Sequence, residues 1–443
     1  MEATRLSGFY LRLASLYFIA LFFIGGIKTT QASALIQGQQ INYKQFKGQV
    51  IDKDTKKGLA FATLSVENSN ISTITNSNGD FTLKIPHNLL NGSVNISFLG
   101  YSTKRIAFSE LDEDNSNTIM LNVSATPLEE VHLSIPKDPA ALVEKVMRNK
   151  GKNYLDSPTI MKAFYRETIK KRRRNVSLAE AVVNIHKASY ASLTQDQVQL
   201  DKVRKSTDYS KLDTMALKLK GGPFNNLFVD LVKYSDIVFA KESLLDYNFT
   251  YDKTVAINNT PIYVINFEQK KHIATPLYEG QLFIDPERNV LTRAIYSLNI
   301  KDGAKAAEVF VRKKPKHAKV TPMEISYKVD YQNRDGKWFY SYSNLQMAFK
   351  INWDKKLFNS VYVLNSEMAI TDWKWNTEKS ALKRNERVTK SVIISDEALG
   401  FTNPDFWGEN NIIEPEKSIQ SAIRKIRKQL GKVPANIKSE ATP

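Results

Sequence analysis

Long stretches of this chain alternate apolar and polar residues with period two, the pattern of strands that bury one face. Phe81, Leu83 and Ile85 alternate in this way, which puts them on one core face and lets Lys84, between them, tolerate a reversal of charge. Phe46–Asp52, Phe61–Val66, Ile71–Thr75, Val94–Phe98, Gly100-Tyr101 and Thr118–Val123 are further short strand segments, and Asn76-Ser77-Asn78-Gly79 is a tight turn. The pattern predicts a seven-stranded sandwich over residues 46–123.

Residues 124–160 read as a linker and helix. Thr126–Val131 leaves the sandwich, and Asp138-Pro139 then caps and opens a helix whose stripe is Leu142, Val143, Val146 and Met147. Residues 161–371 read as an antiparallel sheet domain with a helical insertion near 190–245. Segments 161–169 and 176–188 flank a basic hairpin tip at Lys170–Asn175, and Gly221-Gly222-Pro223 breaks the chain before Phe224–Tyr234. The clearest hairpin has Ile325, Tyr327, Val329 and Tyr331 on one strand and Asn333-Arg334-Asp335-Gly336 at the turn, with Trp338, Tyr340 and Tyr342 returning on one face. Met347, Phe349, Ile351 and Trp353 continue it. Residues 372–415 look irregular, 416–430 form an amphipathic helix along Ile419, Ile423 and Ile426, and 431–443 are expected to be a disordered tail.

Several of these segments carry a family pattern. Gly48-x-Val50-x-Asp52, Gly58–Leu64, Thr75–Phe81 and the closing Leu99-Gly100-Tyr101 resemble the carboxypeptidase regulatory-like domain, a seven-stranded transthyretin-like β-sandwich common at the N-terminus of Bacteroidetes envelope proteins. That domain accompanies some carboxypeptidases without containing their catalytic machinery. A shorter motif, Gly280–Glu287 followed by Val290–Ala294, resembles the strand–turn–strand of lipoprotein-carrier half-barrels. The expected fold class is therefore mainly β: a transthyretin-like sandwich followed by an α+β domain with a large antiparallel sheet, either a half-barrel or an unspecific antiparallel α+β sheet.

Charge and the N-terminus add a compartment. Arg5 and Arg12 precede an apolar run from Leu13 to Ile27, and Ala32-Ser33-Ala34 supplies a cleavage site, so residues 1–34 read as a signal peptide. The run is nearer 15 residues than the roughly 20 that span a bilayer. Removing residues 1–34 leaves 60 basic and 45 acidic residues. An exported basic protein meets lipid headgroups, lipopolysaccharide or acidic glycans, and nucleic acid is not an expected partner. With no cysteine there is no disulfide, no thiolate metal site and no lipid-modified N-terminus. The expected location is the periplasm or the outer membrane, without lipidation.

The motifs of catalysis are missing. None of the five histidines sits in His-Glu-x-x-His or His-x-x-Glu, and neither Gly-x-Ser-x-Gly nor a phosphate-cradling glycine motif occurs. No catalytic residue, metal ligand or cofactor is assigned. Two sets of residues are candidates for binding. Tyr327, Tyr331, Trp338 and Tyr340 would form an apolar ligand face, unless residues 224–234 or the helix at 416–430 fill the space as core. Lys171, Arg172, Arg173 and Arg174 would meet an anionic membrane surface, as would Lys313–Lys316, although solvated hairpin tips need no partner. The reading is a non-enzymatic exported envelope protein that binds a lipid-like apolar ligand or an envelope protein partner through its sheet domain. An adhesion or glycan-binding module is the alternative, and an enzyme of unrecognised type comes third.

Overall fold

Alternation at the start of the chain builds two small sheets facing each other. The computed structural model describes residues 42–124, 137–172, 174–207, 221–239, 243–252, 254–257, 260–303, 317–354, 357–378, 380–397 and 406–416. The expected signal peptide, Thr126–Val131, Arg173, Lys313–Lys316, the helix beyond Glu416 and the tail lie outside them. β1 (Tyr43–Asp52), β4 (Asp80–Pro86) and β7 (Ser116–Leu121) form a three-stranded sheet in the order β4-β1-β7. β2 (Thr63–Val66), β3 (Ser72–Ile74), β5 (Ser93–Ser97) and β6 (Lys104–Ala107) form a four-stranded sheet in the order β3-β2-β5-β6. Phe46, Val50, Leu64, Phe81, Leu83, Ile85, Val94 and Ile96 share the core between the sheets, and each such side chain contributes about 1.5–3 kcal/mol by leaving water. Asn76 shapes the tight turn: its Oδ1 accepts from the amides of Asn78 and Asp80 at 2.9 and 3.0 Å, and Gly79 takes a φ of 82°.

Two sandwich expectations are corrected. The sixth strand is Lys104–Ala107 rather than Gly100-Tyr101, where Gly100 ends a turn at φ 84° and Tyr101 makes a single antiparallel bridge to Val123. Lys84 is not on a free surface: it is only 7% exposed, because residues 408–411 run over the outer side of β4. There Asn411 acts as a substitute strand. Its Oδ1 accepts from the Lys84 amide at 2.7 Å and its Nδ2 donates to the Lys84 carbonyl at 3.0 Å. Asn411→Ala would leave both backbone groups buried and unpaired, so stability should fall by about 2 kcal/mol, read as a lower midpoint in urea. A change within error would mean that water takes over both bonds.

α1 (Pro139–Arg148) starts as its sequence dictates, with the Asp138 carboxylate accepting from the Ala140 amide at 2.9 Å and Leu142, Val143 and Val146 buried. A short α2 (Lys150–Asn153) follows. The chain then enters a sheet built from β8 (Thr159–Lys171), β9 (Arg174–Lys187), β10 (Gln197–Thr207), β11 (Tyr247–Tyr251), β12 (Val255–Ile257), β13 (Thr260–Gln269), β14 (Tyr278–Asp285), β15 (Val290–Leu298), β16 (Ala318–Arg334), β17 (Lys337–Trp353) and β18 (Ser360–Trp375). The order is β10-β9-β8-β18-β17-β16-β15-β14-β13-β11, with β12 pairing separately with β13. Every pairing is antiparallel, and the sheet is open, with β10 and β11 at its ends. Residues 197–207, expected within a helical insertion, are thus an edge strand; the insertion's helix is α3 (Pro223–Leu227). β18 runs past Ile370 to Trp375, and α4 (Ile394–Glu397) follows.

Strand alternation gives this sheet two differently used faces. Met161, Ala163, Tyr165, Ala181, Val183, Met368 and Ile370 look into a large core shared with α1 and residues 221–239. Phe164, Val182, Tyr342 and Ala369 look the other way, onto Ile74 of the sandwich and onto Trp407 and Ile413. The sandwich is fixed to that second face by a Phe61–Tyr342 ring stack at 5.2 Å and by hydrogen bonds from Ser72 Oγ to the Ile370 carbonyl and Asn70 Nδ2 to the Trp373 carbonyl, at 3.0 and 2.8 Å. Among the described residues no helix is long and apolar enough to cross a membrane.

Candidate functional site

A β-bulge decides which aromatic residues share a face. Register shifts between Asp330 and Tyr331, so Ser341 is an extra residue of β17, and side chains on either side of it change faces. Tyr340 therefore lies in the large core with Tyr331, whereas Tyr342, expected beside it, stacks on Phe61 of the sandwich. Tyr331 and Tyr340 are buried; Tyr327 and Trp338 are half-buried at the margin, Tyr327 stacked on Tyr296 at 4.9 Å.

Residues 221–239 occupy the space in front of Tyr331 and Tyr340. Phe224, Leu227, Val229, Leu231 and Val232 join the same core. The Val232 amide donates to the Tyr331 hydroxyl at 3.2 Å, and Asn226 Nδ2 donates to Ser343 Oγ at 3.0 Å. Of the fillers considered from sequence, the 224–234 segment is the one seen among the described residues.

This segment is also held by charge. Lys187 Nζ contacts Asp230 Oδ2 at 2.9 Å and Asp196 Oδ2 at 3.1 Å, and all three side chains are at most 1% exposed. Asp230 further accepts from the hydroxyls of Tyr190 and Tyr331, each at 2.9 Å. Burial works against the Lys187 charge, but the two carboxylates outweigh it and hold the ammonium well above its ordinary range. For Lys233 the same carboxylates compensate only in part: burial, with the Lys187 charge adding to it, pulls it down to about 8.

A second buried ion group lies on the opposite face. Arg166 Nε contacts Glu180 Oε1 at 2.7 Å, its Nη1 contacts Glu367 Oε1 at 3.1 Å, and its Nη2 donates to the Ile413 carbonyl at 2.7 Å. Arg204 Nη2 contacts the other Glu180 oxygen at 2.6 Å and lies 4.6 Å from the Trp407 ring centre. These charges tie the segment around Trp407 and Ile413 to the sheet. Neither ion group was assigned from sequence, although a charge at an inward position of a strongly alternating strand, such as Arg166 or Glu180, was the available signal.

The basic tip is different in kind because it is open to solvent. Arg172 and Arg174 are exposed, and Lys171 is half-buried with Nζ 5.7 Å from the Tyr362 ring centre. The Arg172 amide donates to the Val361 carbonyl at 2.9 Å, which seats this tip beside the β17–β18 turn. On that turn Leu357 is 98% exposed and Phe358 is 79% exposed. Lys350 and Lys319, exposed on β17 and β16, complete the surround; Lys350 is paired with Val361 and Lys319 with Asn352. One end of the sheet thus presents two consecutive bare apolar side chains among four exposed cations, Arg172, Arg174, Lys319 and Lys350. The apolar pair was missed from sequence, where the signal was Leu357-Phe358 following Lys355-Lys356 between two strands. Among the described residues no group of His, Asp or Glu side chains could hold a metal ion.

Solved structures similar to the chain include a candidate outer membrane lipoprotein-sorting protein domain from Vibrio parahaemolyticus, 10% identical, covering 55% of this chain and 94% of that one at a TM-score of 0.24. A DUF1329 family protein from Desulfovibrio piger is 11% identical, with 54% and 94% covered and a TM-score of 0.22. The MucA/MucB complex of Pseudomonas aeruginosa is 8% identical, with 51% and 92% covered and a TM-score of 0.16. No curated protein matches the chain. The family model that does match is that of the CarboxypepD_reg-like domain, over residues 46–133, the stretch that carries the seven-stranded sandwich.

Proposed function

We propose that this is an exported, non-enzymatic envelope protein whose sheet domain engages lipid at a membrane surface, by its exposed turn end rather than by an internal cavity behind Tyr327, Tyr331, Trp338 and Tyr340. The observation that carries the reading is the juxtaposition of Leu357 and Phe358 with Arg172, Arg174, Lys319 and Lys350. Large apolar side chains at nearly full exposure gain about 1.5–3 kcal/mol each on leaving water. Each cation near an anionic surface adds about 1 kcal/mol. Together these are enough for reversible binding after the cost of immobilisation. The absence of hydrolase and nucleotide motifs from the sequence supports a binding role, and the N-terminal Arg5–Ala34 pattern supports export.

Sedimentation of residues 35–443 with vesicles tests this. Binding to vesicles containing phosphatidylglycerol should exceed binding to pure phosphatidylcholine and fall with salt. Leu357→Ser with Phe358→Ser should weaken it at least about tenfold without lowering the melting temperature, since neither side chain is packed. Equal binding of wild type and double variant would sink the reading.

A further inference from the structure

A cleft of about 480 Å³ opens where the sandwich, the large sheet and the segment at Glu409–Asn411 meet, well within the volumes of small-molecule sites, roughly 300–1,000 Å³. Stretches far apart in sequence build it: the start of β1 with the end of β4, Lys162 on β8 opposite Asp372 on β18, and the turn at Glu409–Asn411. Its position follows from the fold, because residues 408–411 cross from the sheet to the outer side of β4.

The polar groups here divide into those already used and those that are not. Lys84 Nζ is engaged by the Gly408 carbonyl and lies 5.1 Å from the Tyr43 ring centre, and the Asn411 amide is spent on the Lys84 backbone. Asn410 is only 6% exposed; its Nδ2 donates to the Trp407 carbonyl at 2.9 Å, while its Oδ1 is buried with no hydrogen-bond partner. An acceptor in that state calls for a donor from elsewhere. Lys162 is the complementary case, an ammonium that makes no direct hydrogen bond or ion pair among the described residues and faces the Asp372 carboxyl only at longer range across the β8–β18 pair. Formal charges cancel, with Lys84 and Lys162 set against Asp372 and Glu409.

A ligand for this lining has to donate at one point and accept at another nearby, offer no net charge, and present apolar as well as polar surface, because Tyr43, Ile71 and Pro86 share the lining with the polar groups. Hydroxyl groups do both, being donor and acceptor at once. Side-chain amides and carboxylates around the ring of Tyr43 suit a polyhydroxylated molecule better than an ion of either sign, to which balanced charges offer no net attraction, or an acyl chain, which would leave the polar half of the lining unpaired. We propose that the cleft is a binding site for a neutral oligosaccharide. This goes beyond membrane attachment, because the cleft lies against the sandwich and uses none of the residues of the exposed turn end.

The test is calorimetric titration of the full chain with maltotriose, cellotriose and chitotriose, each to about 10 mM. At least one should bind saturably in the micromolar to millimolar range. Lys162→Met and Glu409→Gln, both on side chains outside the core, should each weaken that sugar about tenfold, with unchanged melting temperature and unchanged vesicle sedimentation. Two results overturn the proposal: no saturable heat with any of the three sugars, or affinities unaltered in both variants. Loss of vesicle binding by the Leu357 and Phe358 variant has no bearing on either outcome, so the two readings fail separately.

Discussion

Lys187→Met is expected to destabilise the protein by about 3–5 kcal/mol, because it strands two buried carboxylates without their cation. Asp196 and Asp230 are both fully buried against Lys187. Asp230 keeps the hydroxyls of Tyr190 and Tyr331, but Asp196 keeps only the Ala188 amide at 2.9 Å and the Tyr234 hydroxyl at 3.0 Å. Neutral donors of that kind offset part of the cost of a buried charge, not all of it. Guanidinium unfolding at neutral pH measures the loss. Combining Lys187→Met with Asp196→Asn and Asp230→Asn removes all three charges, and much of the stability should return. If Lys187→Met alone costs under about 1 kcal/mol, the network is not sealed from solvent and residues 221–239 do not close the aromatic face.

Where one side chain per turn of the period met the core, the sequence was readable. Phe81, Leu83 and Ile85 are all buried as their alternation implies, and Asp138-Pro139 caps α1. Legibility failed where the period is interrupted. In β10 the register shifts between Leu200 and Lys202, so Val198, Leu200 and Val203 do not alternate and the strand looked like mixed structure. In β17 the extra residue Ser341 sends Tyr342 to the other face. A bulge is a property of two paired strands, and a single strand's pattern does not contain its partner.

Long-range partners were illegible for the same reason. Nothing local pairs Arg166 with Glu367, 201 positions away, or brings Asn411 to Lys84, 327 positions away. Lys84 looked like a solvent-facing residue because the strand that carries it is an edge, and what covers an edge is decided elsewhere in the chain. The basic tip at Lys170–Asn175 was readable, since a run of like charge between two apolar strands has to be a turn. The cleft was not, because its lining comes from separate stretches whose residues are ordinary surface types when read one at a time.

Glu167 should make the protein less stable as pH rises from about 4.5 to about 7, and Glu167→Gln should abolish that slope. Its carboxyl is buried on β8 with the Tyr165 hydroxyl donating to it at 2.8 Å and, among the described residues, no cation paired with it. Burial, with Asp396 adding a like charge, pushes it from an ordinary 4.5 up to about 7. Below pH 4.5 the acid is protonated both folded and unfolded, and it has no effect. Between 4.5 and 7 the unfolded chain ionises Glu167 while the folded one holds the proton, so the unfolded state binds fewer protons and stability falls with pH. Above 7 the loss is complete and constant. The interval corresponds to about 3 kcal/mol. Glutamine keeps the shape and can still accept the Tyr165 hydrogen bond, so the variant should match wild type at pH 4 and exceed it by up to about 3 kcal/mol at pH 8. Groups whose carboxyls are held low, such as Asp52 at about 2, impose the opposite slope in strong acid and are common to both proteins, so the difference between the two urea curves isolates Glu167. A difference that stays flat from pH 4 to 8 would mean that Glu167 is ionised in the folded state throughout, and that water reaches β8 from the side of α4.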